Sequence, residues 1–98
     1  MTVDHWPFDD PPNVAAITNR AIMHDGDWIG LVSHDSEDGG WQFLSLEGAS
    51  NADEPTVVAL HRILEKDRSI GELADLPLGW RAWRASPDGP WQRARHDD

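Results

Sequence analysis

Histidine and acidic side chains, the groups that bind metal ions and transfer protons in proteins, cluster in two short segments of the chain. The members are His24, Asp25 and Asp27 in the first segment, and His34, Asp35, Glu37 and Asp38 in the second. If His24 and His34 lay side by side, a carboxylate from either segment would complete a site for a metal ion or a small ligand. The two segments are therefore the first candidates for a functional site.

The spacing within these segments matches no metal-binding motif. Residues 35–39 lack the alternating oxygen ligands of a calcium-binding EF-hand loop, and the sequence contains no His-x-x-x-His pair and no cysteine. Acidic residues beside glycine are also ordinary turn formers. We therefore expect two solvated turns, with no bound metal and no cofactor.

The same residues make a weak case for catalysis. Ser33, His34 and Asp35 are the residue types of a hydrolase triad, but adjacent residues of a strand point to opposite faces. A pair such as Asp35 and Asp38 needs a buried setting to work as acid and base, and an exposed turn does not provide one. We expect His34 to close its strand and bond the loop backbone, and Asp35 to accept hydrogen bonds from amides of the turn. The sequence favours a binding module over an enzyme.

A β-hairpin is predicted to position the second segment. Residues 28–34 and 41–46 are its two strands, and residues 35–40 form the polar turn between them. Large apolar side chains alternate onto both faces, which predicts a central hairpin that is covered on each side. Trp41 and Phe43 are the expected core anchors.

The rest of the chain predicts an α+β fold, with a mostly antiparallel, twisted sheet of about five to six short strands and one or two short helices. Residues 1–12 are expected to form an extended lead-in containing prolines, residues 13–94 a single domain, and residues 95–98 a disordered tail. Further strands are predicted at residues 14–18, 56–59, 80–84 and 91–93, a helical turn at 19–23, and helices at 60–66 and 70–74. Ser69 and Glu72 fit a capping box at the start of the last helix.

Tryptophan and arginine alternate near the end of the chain. The residues are Trp80, Arg81, Trp83, Arg84, Trp91, Arg93 and Arg95. In a basic protein this pattern would indicate stacking against nucleic-acid bases. Here the acidic remainder balances the arginines, so we expect a hairpin with tryptophans inward and arginines outward, forming salt bridges to the acidic part of the chain.

The charge of the chain is acidic and unevenly distributed. Its 98 residues carry 18 acidic and 8 basic side chains, for a net charge of −10. Residues 1–61 contain 11 of the acids but only one base, Arg20, whereas residues 62–98 contain seven of each. This balance disfavours nucleic acid and favours a basic protein partner. Acidity that serves solubility alone explains the same composition equally well.

Cysteine usage and the apolar pattern indicate the compartment. A small secreted domain usually needs disulfides, so a chain without cysteine is expected in the reducing cytoplasm. The first seven residues have neither a basic region nor an apolar run, and no apolar stretch approaches the ~20 residues of a membrane span. We expect no signal peptide and no membrane contact.

Several segments, taken in order, resemble a known bacterial family. They include the DGGWQF stretch at residues 38–43, the DRSI stretch at residues 67–70 and the PLGW stretch at residues 77–80. Over about residues 13–91 the chain resembles the immunity protein 33 domain family, small proteins formerly described as a domain of unknown function. The resemblance implies an α+β fold and the neutralisation of a partner toxin by direct binding, and it brings no catalytic motif.

Two functions follow as expectations. The first is a protein-binding module, similar to an immunity protein, that binds a basic partner such as a toxin. Its expected recognition surface consists of Asp25, Asp27, His34, Asp35, Glu37 and Asp38. The second is a small-ligand or metal-binding protein that uses His24, His34 and the nearby carboxylates, and it requires these side chains to converge in one pocket.

Overall fold

The computed structural model describes residues 6–24, 26–46 and 55–95 of the chain. Its strands are β1 (Ala15–Asn19), β2 (Leu31–His34), β3 (Trp41–Leu44), β4 (Pro55–Ala59), β5 (Trp80–Trp83) and β6 (Gln92–Arg95). Its helices are α1 (Arg20–His24), α2 (Leu60–Lys66) and a 3-10 helix at Arg68–Leu73. The predicted α+β fold is confirmed.

All six strands belong to one sheet in the order β4-β1-β3-β2-β5-β6. The hairpin of β2 and β3 lies at its centre, as predicted. Strands β1 and β3 run parallel, and every other neighbouring pair is antiparallel. The parallel pair arises because α1 and β2 intervene between β1 and β3, so that β3 enters the sheet in the same direction as β1.

The core lies on one face of the sheet. Thr18, Phe43, Val32 and Ala82 are successive cross-strand partners on β1, β3, β2 and β5, and all four are fully buried. The buried side chains of α2, the 3-10 helix and the lead-in join the same cluster. They are Leu60, Ile63, Ile70, Leu73 and Phe8. Phe8 therefore attaches the lead-in to the body of the domain.

The opposite face of the sheet is partly open to solvent. Ile17 on β1 is 38% exposed and Val57 on the edge strand β4 is 65% exposed, while Leu31 and Leu44 of the hairpin are half-buried. The prediction that both faces of the hairpin are covered is therefore wrong. The helices of the described ranges are short, and their buried residues all join the single core cluster on the other face.

Backbone carbonyls at the junction of the lead-in and the domain cap α2, for which no side chain serves as a cap. The amides of Leu60 and His61 donate to the carbonyls of Val14 and Pro12, at 2.8 and 2.9 Å. These bonds satisfy two of the donors that a helix N-terminus leaves free. They also fix the lead-in against the body of the domain.

The start of the 3-10 helix and the end of the last strand both differ from the prediction. The 3-10 helix begins after Asp67, whose carboxylate accepts hydrogen bonds from the amide and the hydroxyl of Ser69, at 3.0 and 2.7 Å. Asp67 is therefore the cap, and the predicted capping box of Ser69 and Glu72 does not form. At the other end of the chain, Arg95 lies in β6 instead of the predicted tail, and residues 96–98 are outside the described residues.

Replacing Phe43 by alanine should destabilise the domain strongly, because the side chain is fully buried between strands. We expect a loss of about 3–5 kcal/mol in the free energy of unfolding. Val57→Ala is the matched control, since its side chain is largely exposed and its loss should be a small fraction of that. Urea denaturation followed by tryptophan fluorescence measures both. Equal losses would contradict a core on one face only.

Candidate functional site

The turn between β2 and β3 is built by its own acidic residues. Oδ1 of Asp35 accepts the amide of Glu37 at 2.8 Å, and Oδ1 of Asp38 accepts the amide of Gly40 at the same distance. The backbone of Asp35 also exchanges hydrogen bonds with Gly39 and Gly40, at 2.9 and 2.8 Å. Gly39 has a φ of +73°, which side-chain-bearing residues rarely adopt. The predicted role of Asp35 is confirmed, and the result is a rigid acidic turn.

His34 is held from two sides at the end of β2. Its Nδ1 lies 2.7 Å from the carbonyl oxygen of Leu76, and since a carbonyl only accepts, Nδ1 carries the proton. The imidazole stacks on the indole of Trp41, with ring centroids 3.8 Å apart and planes 14° apart. In the neutral imidazole Nε2 is then an acceptor. The prediction that the side chain of His34 bonds the backbone of the hairpin loop is therefore wrong. Its ring bonds the loop after the 3-10 helix, and backbone bonds and aspartates close the hairpin turn.

A shallow cleft of about 310 Å³ opens beside this histidine. Its lining residues come from β2, the acidic turn and the start of β5. They are Ser33, His34, Asp35, Ser36, Glu37, Gly79 and Trp80. Gly79 joins the two walls, because its amide donates to the carbonyl of His34 at 2.7 Å. Four of the six predicted recognition residues, His34, Asp35, Glu37 and Asp38, therefore lie together on this rim and turn.

Further negative charge lies at the same end of the sheet. Oδ1 of Asp10 accepts the indole N–H of Trp41 at 3.0 Å, which places this carboxylate beside the ring on which His34 stacks. The arginine ion pairs of the described residues are those of Arg84 with Asp67 and Arg93 with Asp75. Across the described ranges, no base forms an ion pair with an acid of the turn.

The first sequence cluster lies elsewhere. Asp25 is outside the described residues. His24 is exposed at the end of α1, and Asp27 lines a separate cleft of about 300 Å³ with Lys66 and Arg84. This second cleft shares no lining residue with the one at His34. Within the described ranges, no three His, Asp or Glu side chains are grouped to hold a metal ion. The hypothesis of a small-ligand or metal site requires His24 and His34 in one pocket, and the structure does not bring them together.

Arg84 is the best-connected polar side chain of the described residues, and the sequence interpretation missed it. The side chain is 2% exposed. Its Nε donates to the carbonyl of Ile29 at 2.8 Å, Nη1 donates to the hydroxyl of Ser69 at 3.0 Å, and Nη2 pairs with Asp67. The guanidinium carbon lies 4.3 Å from the ring centroid of Trp91.

The expectation of outward arginines holds for Arg81, Arg93 and Arg95, which are exposed, but it is wrong for Arg84, and the expected salt bridges to the acidic part of the chain do not occur among the described residues. Arg84 points inward, and the acidic partners of Arg84 and Arg93 belong to the charge-balanced part of the chain instead of the acidic part. The alternation of side chains between the two faces of a strand would have predicted the inward direction of Arg84. Trp80 and Ala82 face the core, so continued alternation places Arg84 on the same side.

The electrostatics of Asp67 reflect this network. Partial burial by itself raises the pKa of the carboxyl group, but hydrogen bonds from Ser69 and Arg84 and the charge of Arg84 outweigh it. The pKa of Asp67 therefore lies below its ordinary value. At the surface, the hydrogen bond and the charge of Arg93 likewise lower the pKa of Asp75.

No protein-family model, curated protein or solved structure matches the chain. The resemblance to the immunity protein 33 domain family stays a prediction. Among the described residues, no helix combines the length and the apolar character needed to cross a membrane.

Replacing Arg84 by alanine should be among the most damaging single changes. The substitution leaves Asp67, Ser69 and the carbonyl of Ile29 without their partner, and breaking such a buried pair costs about 3–5 kcal/mol of unfolding free energy. Arg93→Ala is the matched control, because its partner Asp75 is 81% exposed and the loss should be far smaller. Urea denaturation of both variants measures the difference. Similar midpoints would show that the buried pair is not a main source of stability.

The lowered pKa of Asp67 predicts a specific dependence of stability on pH. Because the folded protein protonates this group at lower pH than the unfolded chain, its stabilising contribution is complete above about pH 4 and is lost as the pH falls through the folded pKa. The gap in unfolding free energy between the wild type and Asp67→Asn should therefore narrow below about pH 4. Urea titrations between neutral and acidic pH measure it, with the exposed Glu72→Gln as control. A gap that stays constant with pH would contradict the assignment.

Proposed function

We propose that this protein is a binding module for a basic protein partner, which it contacts with the acidic turn at the His34 end of the sheet. The observation that carries the proposal is the unbalanced charge of that end. Asp35, Glu37 and Asp38 lie on one turn, and none of them forms an ion pair among the described residues, whereas Arg84 and Arg93 pair with Asp67 and Asp75 in other parts of the fold. Carboxylates that lack a cation within their own fold attract one from a partner.

The rigidity of the turn supports the same function. The side chains of Asp35 and Asp38 are fixed by backbone amides, and β3 holds the turn to the core through Trp41 and Phe43, which are 2% and 0% exposed. A surface that is already ordered loses little conformational entropy on binding. The partner therefore meets a preformed, negatively charged contact surface.

The family resemblance supplies the class of partner. Over residues 13–91 the chain resembles a family whose members are associated with neutralising toxins by direct binding. An acidic inhibitor suits a basic toxin, because opposite charge accelerates the encounter and helps to select the partner. In this proposal the protein acts in the cytoplasm and uses neither metal nor cofactor.

Capture from a lysate of the native host tests the proposal. The immobilised protein is expected to recover a specific basic protein at about 0.05 M salt and less of it at about 1 M, where the Debye length falls to about 3 Å. Glu37→Lys should reduce the recovery, since it reverses one charge of the turn. Glu72→Lys is the matched control, because Glu72 is an exposed acid on the 3-10 helix.

Purified components complete the test. Calorimetric titration of the captured protein into the wild type and both variants should reproduce the order of the affinities. Failure to recover any specific protein at either salt concentration would contradict the proposal. So would equal weakening by Glu37→Lys and Glu72→Lys, since the turn would then contribute only its share of the net charge.

A further inference from the structure

We infer that the cleft beside His34 receives the guanidinium group of an arginine side chain from the partner. The inference rests on the proposed function and names the chemistry of its central contact. This fold already binds one guanidinium of its own, that of Arg84.

Arg84 provides the internal precedent. Its guanidinium lies over Trp91 and contacts a carboxylate of Asp67, a hydroxyl of Ser69 and a backbone carbonyl. A guanidinium only donates hydrogen bonds, so a matching site consists of acceptors beside an aromatic ring. This arrangement is the one that the fold builds around Arg84.

The cleft beside His34 contains the same classes of group. Its lining residues include Trp80, whose side chain is an indole, Asp35 and Glu37, which carry carboxylates, and Ser36, which carries a hydroxyl. His34 adds an acceptor nitrogen, because its Nδ1 proton is committed to the carbonyl of Leu76. The lining includes no lysine and no arginine. The residues around the cleft thus carry acceptors and an aromatic ring, and none of the described lysines or arginines lines it.

The shape and the position of the cleft favour arginine over lysine. A planar guanidinium stacks on an indole and donates to two acceptors at once, whereas an ammonium group is a strongly hydrated point charge. The cleft holds about 310 Å³ and opens to solvent at an acidic rim, which suits one extended side chain reaching in from a partner surface. Its walls are fixed by the bonds of His34 to Leu76 and of Gly79 to His34.

Two exposed arginines are cross-strand partners of residues that line this cleft. Arg81 on β5 is the partner of Ser33. Arg95 on β6 is the cross-strand partner of Trp80, and it is exposed. Its positive charge opposes the approach of a second guanidinium. Removal of this charge should therefore strengthen binding, whereas the other substitutions proposed here should weaken it.

Titration with tetra-arginine and tetra-lysine peptides, followed by NMR in low salt, tests the inference. We expect signals of the His34 ring and the Trp80 indole to shift. Tetra-arginine should bind about two- to fivefold more tightly than tetra-lysine, because a guanidinium stacks on the indole and donates to two acceptors at once, whereas an ammonium group does not. Glu37→Gln should weaken tetra-arginine about two- to fivefold. Glu72→Gln, the same change on the 3-10 helix, should have a smaller effect, and Arg95→Gln should strengthen binding.

The outcomes separate this inference from the proposed function. If tetra-lysine binds as tightly as tetra-arginine, or Glu37→Gln and Glu72→Gln weaken binding equally, the cleft is not an arginine site and the inference is overturned. The same holds if a basic partner is captured but neither peptide shifts the His34 and Trp80 signals, and the proposed function then stands. If no basic protein is captured at either salt concentration, the proposed function fails regardless of the peptides.

Discussion

The buried guanidinium of Arg84 joins parts of the chain that are far apart in sequence. It binds the carbonyl of Ile29 before β2, the cap of the 3-10 helix at Asp67 and Ser69, and the indole of Trp91 before β6. An arginine this deeply buried is stable only if its charge and its donors are matched. The pairing therefore constrains the positions of three elements together.

A second set of contacts fixes the acidic end of the sheet to the core. His34 lies at the end of β2 opposite to Ile29. Its ring stacks on the indole of Trp41 and donates a hydrogen bond to the carbonyl of Leu76. Trp41 in turn packs edge-on against Phe8 of the lead-in, with ring centroids 5.1 Å apart. The cleft is thus supported by the core on one side and by the segment after the 3-10 helix on the other.

Local patterns in the sequence predicted the elements well. The stripe formed by Leu60, Ile63 and Leu64 located α2 at the residues where it occurs, and the glycines after Asp38 located the turn. These features depend on neighbours in the chain, which periodicity and turn chemistry describe. Long-range pairing was not predictable in this way. The parallel pair of β1 and β3 and the covering of only one face depend on how distant segments meet.

The candidate site shows the same division between local and long-range information. The hydrogen bonds of Asp35 and Asp38 to amides two residues further along are typical of aspartates in a turn, so they were foreseeable from the sequence. The bond of His34 to Leu76 spans 42 residues, and the cleft needs Trp80 from a third strand, so neither was foreseeable. Strand alternation predicts that Arg84 points inward, but arginine is usually a surface residue, and the prediction followed that general preference.

The location of the ion pairs links stability to binding. The described arginines that form ion pairs, Arg84 and Arg93, do so with Asp67 and Asp75, close to them in the charge-balanced part of the chain. Had either arginine paired with the turn, it would have neutralised the charge that attracts a basic partner. Because the arginines that form ion pairs have Asp67 and Asp75 as partners, the carboxylates of the turn carry no ion pair among the described residues. The same guanidinium chemistry that holds the core together is then available, in our proposal, for recognition of a second protein.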